Sequence, residues 1–271
     1  TTTKVAGGPT ITNNAETALV TPRVAMHKLG SRNIATAILL PTKHDGGKLP
    51  VLFDPYGGPH AQRVLSSFQS FASAQWFADQ GFVVVVADGR GTPGRGSEWE
   101  RAVYGDLATP VLDDQVAVLD ALADVCPQAD LTRVGIKGWS FGGYLAALAV
   151  LKRPDRFHAA VAGAPVTDWA LYDTHYTERY LGQPEHDAAN YSRTSLIELA
   201  GQLTRPLLLI HGLADDNVLA AHSLRLSSAL LEHGKAHEFL PLSGVTHMTP
   251  QEVVAENLLL HQLAFLKRSL A

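Results

Sequence analysis

The segment that most restricts this chain is Val134-Gly135-Ile136-Lys137-Gly138-Trp139-Ser140-Phe141-Gly142-Gly143-Tyr144, continuing into Leu145-Ala146-Ala147-Leu148-Ala149-Val150-Leu151. It reads as a short apolar strand, a serine flanked by glycines, and an alanine- and leucine-rich helix, the context of a G-x-S-x-G nucleophile elbow. The small residues have a steric reason. A serine on a tight strand-to-helix turn sits in strained backbone geometry, and Gly138 and Gly142 let neighbouring backbone pass without Cβ clashes. The helix that starts after Ser140 points free N–H groups and a positive dipole end at any oxyanion formed there. A glycine-rich turn with an incidental serine explains neither the strand before it nor the helix after it.

The rest of the chain alternates strands and helices around this turn. Residues 24–29 and 34–40 read as two strands joined by a hairpin-like turn at Gly30-Ser31-Arg32-Asn33. Residues 49–53 form a buried strand that empties into Asp54-Pro55-Tyr56-Gly57-Gly58-Pro59. Phe68, Phe71, Gln75 and Ala78 fall at helical spacing up to a stop at Gly81. Residues 82–87 are an uninterrupted apolar run, the mark of a parallel strand covered on both faces. The glycine-rich loop 88–96 lacks a P-loop lysine and does not match G-x-G-x-x-G opening a helix, so it is read as structural. Residues 111–125 predict an amphipathic helix with Val111, Ala117, Val118, Ala121, Leu122 and Val125 on its apolar face. After the elbow come a strand at 157–164, an aromatic-dotted excursion at 167–205 without a clean period, and a buried strand at 207–211. A helix at 220–233, a strand at 238–242 and an amphipathic helix at 251–270 close the chain. Such alternation predicts an α/β fold with a doubly wound, mostly parallel sheet and helices on both faces.

Composition bounds the function. With 271 residues the chain suits one α/β domain, residues 22–271, after a Thr-, Asn- and Gly-rich leader or linker, residues 1–21. A net charge of −4 gives no footprint for nucleic acid, and no apolar run reaches membrane-spanning length. The one cysteine, Cys126, excludes an intrachain disulfide and a cysteine-rich metal site; no metal or other cofactor is expected. The chain opens with Thr1 and not Met, as a processed or trimmed piece does. The compartment stays open, with the cytoplasm favoured.

A serine nucleophile needs a base and an orienting carboxylate, which on this kind of fold follow in the order Ser, Asp or Glu, His. The loop after strand 207–211 carries Asp215-Asp216, and the loop after the last strand carries His247. Both leave the carboxyl ends of parallel strands, where sites form in open α/β sheets. His247 is expected to move the proton, and Asp215 to hold the imidazole tautomer. Of the other histidines among the 12, His211 ends a buried strand and reads as packed. His233 and His237 straddle Gly234, which argues against a metal pair. One oxyanion donor is the backbone N–H of Phe141. The other comes from the loop at Tyr56, by a backbone N–H or the Tyr56 hydroxyl.

These residues resemble the catalytic domain of the prolyl oligopeptidase family of serine peptidases, in its dipeptidyl-peptidase IV-like branch. The resemblance is carried by Tyr56-Gly57-Gly58-Pro59, Asp88-Gly89-Arg90-Gly91, Gly138-Trp139-Ser140-Phe141-Gly142-Gly143-Tyr144, Ala164-Pro165-Val166, Tyr176-Thr177-Glu178-Arg179-Tyr180 and His211-Gly212-Leu213-Ala214-Asp215-Asp216-Asn217-Val218. It implies an α/β-hydrolase fold, a Ser140-Asp215-His247 triad, and a Tyr56 side-chain hydroxyl on the oxyanion. It further implies a proline pocket of Phe141, Val166, Trp169, Tyr172, Tyr176 and Val218, with Asn217 on a substrate carbonyl. Aromatic faces suit a flat apolar pyrrolidine ring. The branch carries tyrosine where this chain has Phe141, which keeps the backbone donor and loses a hydroxyl.

The resemblance also implies an N-terminal β-propeller whose glutamate pair grips the substrate's free amine. No segment of this sequence supplies one, so the chain is either a piece of a longer enzyme or acts without that grip. The expected activity is hydrolysis of peptides after proline or alanine near an N-terminus through an acyl-enzyme. An acylaminoacyl-peptidase or carboxylesterase on the same triad is the alternative within the chemistry. A catalytically silent hydrolase-fold binding domain is the alternative outside it. A peptide is the expected partner, with a homodimer left open.

Overall fold

The computed structural model describes residues 2–4, 10–12 and 20–271. Most of the expected leader lies outside the described residues; within it β1 (Thr2–Lys4) and β2 (Thr10–Thr12) pair antiparallel. The main sheet has eight strands: β3 (Val24–Leu29), β4 (Ile34–Leu39), β5 (Leu49–Phe53), β6 (Val83–Asp88), β7 (Ala129–Trp139), β8 (Ala159–Gly163), β9 (Leu207–Gly212) and β10 (Glu238–Leu242). Their order across the sheet is β10-β9-β8-β7-β5-β6-β4-β3. The six strands from β10 to β6 are parallel, and the β3–β4 hairpin adds an antiparallel edge. The elbow strand β7 is thus central, with β5 on one side and β8 on the other.

The helices are α1 (Ala72–Asp79), α2 (Ser97–Arg101), α3 (Thr109–Ala121), α4 (Phe141–Lys152), α5 (Thr174–Leu181), α6 (Ala188–Thr194), α7 (Ala221–Glu232) and α8 (Glu252–Ser269). Strand residues alternate between two cores, as the two-residue side-chain period requires. Val51, Phe53, Val83, Val85, Val134, Ile136, Ala160, Ala162, Leu207 and Leu209 pack with α3, α4 and α7. Leu52, Val84, Val86, Ala159, Val161, Leu208 and Ile210 pack with α1 and α8. Helices therefore cover both faces, and the architecture is the α/β-hydrolase fold. No helix among the described residues is long and apolar enough to cross a membrane.

Three local expectations change. β6 is buried throughout but parallel on one side only, since β4 pairs with it antiparallel. The helix expected at 111–125 ends at Ala121 and tightens into a 3-10 turn, which leaves Val125 exposed and Cys126 buried beyond it. The excursion at 167–205 holds two 3-10 segments as well as α5 and α6. Elements of eight residues or fewer are too short for a helical period to show in the sequence.

Candidate active site

Ser140 stands between β7 and α4 with φ 59° and ψ −119°. Its N–H donates to the Gly163 carbonyl at 2.9 Å, and its own carbonyl accepts from Tyr144 N–H at 2.9 Å, so the turn is fixed from both ends. A Cβ on Gly138 would overlap the carbonyl of Gly142, and one on Gly142 would lie 2.6 Å from the Pro55 carbonyl oxygen. That close approach brings the loop after β5, and with it Tyr56, against the start of α4. Phe141 is the first residue of α4, where a backbone N–H has no partner within the helix.

Tyr56 is half-buried beside Ser140. Burial, aided by the neighbouring Tyr172, pushes its hydroxyl up to about 12, against an opposing pull from the Ser140 side chain. It therefore stays protonated, and able to donate, across the physiological range.

Asp215 and His247 come together at the carboxyl ends of the adjacent strands β9 and β10. His247 Nδ1 lies 2.8 Å from Asp215 Oδ2. The other carboxylate oxygen, Oδ1, accepts the backbone N–H groups of Asn217 at 3.0 Å and Val218 at 2.9 Å. Asp215 is buried while Asp216 is exposed, which separates the two neighbours. His211, fully buried, has Nε2 2.7 Å from the Val218 carbonyl and Nδ1 2.7 Å from the Ser223 hydroxyl. A carbonyl can only accept, so Nε2 carries the proton, and burial lowers the ring's affinity for a second one. That same Nε2 is 3.5 Å from Asp215 Oδ2. The packed histidine expected from the sequence thus also braces the acidic loop. Trp139 adds a contact that the sequence did not signal: its indole N–H donates to the His247 carbonyl at 2.7 Å.

The expected pocket residues form one aromatic cluster. Phe141 lies 5.9 Å from the ring of Tyr56 and 5.8 Å from that of Trp169. Trp169 and Tyr176 are nearly parallel at 6.0 Å, and Tyr172 meets both edge-on. Val166, Trp169 and Val218 are buried, whereas Tyr172 and Tyr176 are partly exposed. The Tyr172 hydroxyl donates to Asn217 Oδ1 at 2.9 Å, which leaves the Asn217 amide N–H groups for another acceptor. Gly58 lies directly under the Phe141 ring, where a Cβ would overlap it. His60 and Tyr180, neither of them among the expected pocket residues, extend the cluster: His60 Nε2 is 2.9 Å from the Tyr180 hydroxyl, and its ring is 5.2 Å from that of Tyr176.

Three carboxylates of the 167–205 segment serve the backbone. Asp168 accepts from Ala170 N–H, Asp173 caps α5 through Tyr176 N–H, and Asp187 accepts from Gln183 N–H. These are helix-end and turn roles.

Beneath the Tyr56 loop lies a charged cluster that the sequence reading missed. Asp54, at the end of β5, is buried and bonded by Arg63 and by Lys137 of β7. Burial alone would raise its pKa, but the two cations beside it overcome this and hold it below the ordinary value. The available signal was a lysine within the apolar stretch Val134–Trp139.

A family model described as the prolyl oligopeptidase family matches residues 67–271. The chain is 40% identical over 230 residues to mouse dipeptidyl peptidase 8, covering 83% of this chain and 26% of that protein. It is 31% identical over 253 residues to mouse prolyl endopeptidase FAP, covering 91% and 33%. The crystal structure of Porphyromonas gingivalis dipeptidyl peptidase 4 superposes with a TM-score of 0.85 at 33% identity, covering 92% of this chain and 35% of that one. The chain thus spans about a quarter to a third of the length of these relatives.

Proposed function

The chain belongs to the prolyl oligopeptidase family, and on that footing we propose that it is a serine peptidase that cleaves after proline or alanine near a peptide's N-terminus. Ser140 Oγ attacks the scissile carbonyl while His247 Nε2 takes its proton. Asp215 holds Nδ1–H and offsets the charge of the imidazolium. The oxyanion takes hydrogen bonds from the Tyr56 hydroxyl and the Phe141 N–H. His247 returns the proton to the leaving amine, and water then hydrolyses the acyl-enzyme by the same steps in reverse roles. Phe141, Val166, Trp169, Tyr172, Tyr176 and Val218 receive the proline ring, and Asn217 offers its amide to a substrate carbonyl.

The observation that carries this reading is that two clusters meet at one residue. Phe141 directly follows the proposed nucleophile, and its ring belongs to the aromatic cluster. A proline held there lies next to Ser140. The helix-end bonds of Asp168 and Asp173 and the turn bond of Asp187 support a further element: none of these three is a dedicated acidic anchor for the substrate's free amine, and discrimination between free and blocked N-termini is weak.

The test is fluorophosphonate labelling, then a panel of Xaa-Pro, Xaa-Ala and acyl-amino-acid amides. Labelling at Ser140 with turnover of Ala-Pro amides, and similar rates on acetyl-Ala-Pro amides, is the expected result. Turnover of simple esters alone would overturn the peptidase assignment, and absence of labelling would overturn the chemistry. A strong preference for the free amine would overturn the missing anchor.

A further inference from the structure

Lys137 is an odd residue for its place. It occupies the middle strand of the sheet, directly after the buried run Val134–Ile136 and before the partly buried Gly138-Trp139-Ser140, and is only 9% exposed. An ammonium taken out of water in a sheet centre is costly unless its partners are well placed, and a buried pair seldom improves on apolar packing. Such a pair is better explained by what it positions than by what it stabilises.

Its partners are specific. Lys137 Nζ lies 3.1 Å from Asp54 Oδ1 and 4.7 Å from the centre of the Phe77 ring. Arg63 takes Asp54 by both carboxylate oxygens at 3.1 Å and also donates to the Asp54 backbone carbonyl at 2.9 Å. The backbone N–H groups of Arg63 and Val64 are in turn held by the Asp88 carboxylate at the end of β6. The loop that carries Tyr56 is therefore closed at both of its ends. Its one ion pair to the elbow strand, among the described residues, is Lys137–Asp54.

Register gives this pair its consequence. Phe53 pairs with Ile136 across β5 and β7, so Asp54 and Lys137 are the next neighbours along the ladder. Tyr56 stands two residues after Asp54, and Ser140 three residues after Lys137. The pair thus joins the bases of the two turns that bring a hydroxyl donor and a nucleophile together.

We propose that Lys137 is a positioning residue: through Asp54 it sets the Tyr56 hydroxyl relative to Ser140 for oxyanion binding. This rests on the roles proposed above for Tyr56 and Ser140 and not on the identity of the substrate. The side chain does not itself reach the reacting atoms; it acts through the loop.

The experiment is a double-mutant cycle of Lys137→Met and Tyr56→Phe, read as the second-order rate constant for labelling by a fluorophosphonate. That reagent requires the nucleophile and the oxyanion donors but no proline, so a wrong substrate class leaves the cycle readable. Lys137→Met is expected to slow labelling about tenfold in the wild-type background and to change nothing further once Tyr56 is phenylalanine. Multiplying losses would show that Lys137 acts independently of the Tyr56 hydroxyl and would overturn the proposal, as would wild-type labelling by Lys137→Met. If Lys137→Met does not fold, Lys137→Gln, which keeps a donor to Asp54 and loses the charge, goes through the same cycle with the same two outcomes.

Discussion

Replacing Ser140 by glycine should make the folded chain more stable while removing its proposed nucleophile. Ser140 holds φ 59° and ψ −119°, a region that costs a residue with a Cβ on the order of 1–3 kcal/mol. It cannot relax, because Gly163 and Tyr144 hold its N–H and carbonyl at 2.9 Å each. Glycine removes the strain but gives the unfolded chain more freedom, a cost of about 0.4–1 kcal/mol. The difference leaves about 1 kcal/mol in favour of glycine, which in a chain of this size raises Tm by about 2–4 °C. Ser140→Ala keeps the Cβ and therefore the strain, so its Tm stays close to that of the wild type. Urea titration and thermal melting of the three proteins side by side make the comparison. A glycine variant no more stable than the alanine variant would refute the idea that the elbow stores strain.

Other outcomes follow from the same geometry. Asp215→Asn should lower kcat by about 10⁴, the scale seen when a triad loses its tautomer, whereas Asp216→Asn, exposed and outside the His247 contact, should stay near wild type; the reverse order would exchange their roles. Tyr56→Phe should lower kcat by about 10²–10³ with KM little changed, the loss expected for one oxyanion donor. Stability should fall with acid in a window set in part by His222, whose pKa burial, with His211 nearby, lowers to about 4. Because the unfolded histidine titrates near 6.5, the unfolded chain binds the extra proton first; the contribution is whole above 6.5 and is lost as pH falls towards 4. Urea titrations at pH 7 and 4.5 should therefore differ by about 2 kcal/mol less in His222→Gln than in the wild type; an unchanged difference would remove His222 from the acid response.

Much of this was legible because it is local. The elbow announces itself in consecutive residues, and β4, β5, β8 and β9 are apolar runs bounded by turn residues. The chain order of Ser140, Asp215 and His247 fixes which loops to compare. What was not legible depends on partners distant in sequence. The Trp139 bond to the His247 carbonyl spans 108 positions, and the Lys137–Asp54 pair spans two strands that are adjacent only in the folded sheet. The sequence offered only one sign of the latter, a charge amid apolar neighbours. Val125 was misplaced for a different reason. The helical period continues past Ala121, but the last turn tightens to 3-10 and rotates that side chain outward.

The glycines around Ser140 differ in whether the sequence can drift at them. At Gly58 the obstacle to a Cβ is the Phe141 ring, and at Gly57 it is the Leu145 side chain. A smaller residue at 141 or 145 would clear the space, so these positions can change in compensating pairs. The positive φ of 73° at Gly57 adds a backbone penalty there that Gly58 does not carry. At Gly138 and Gly142 the obstacles are the carbonyls of Gly142 and Pro55, which every amino acid carries. No second-site suppressor that merely trims a side chain can exist for a substitution at either position. A selection for restored activity should therefore recover partners for a Gly58→Ala lesion among changes at 141, and only true revertants for lesions at 138 or 142.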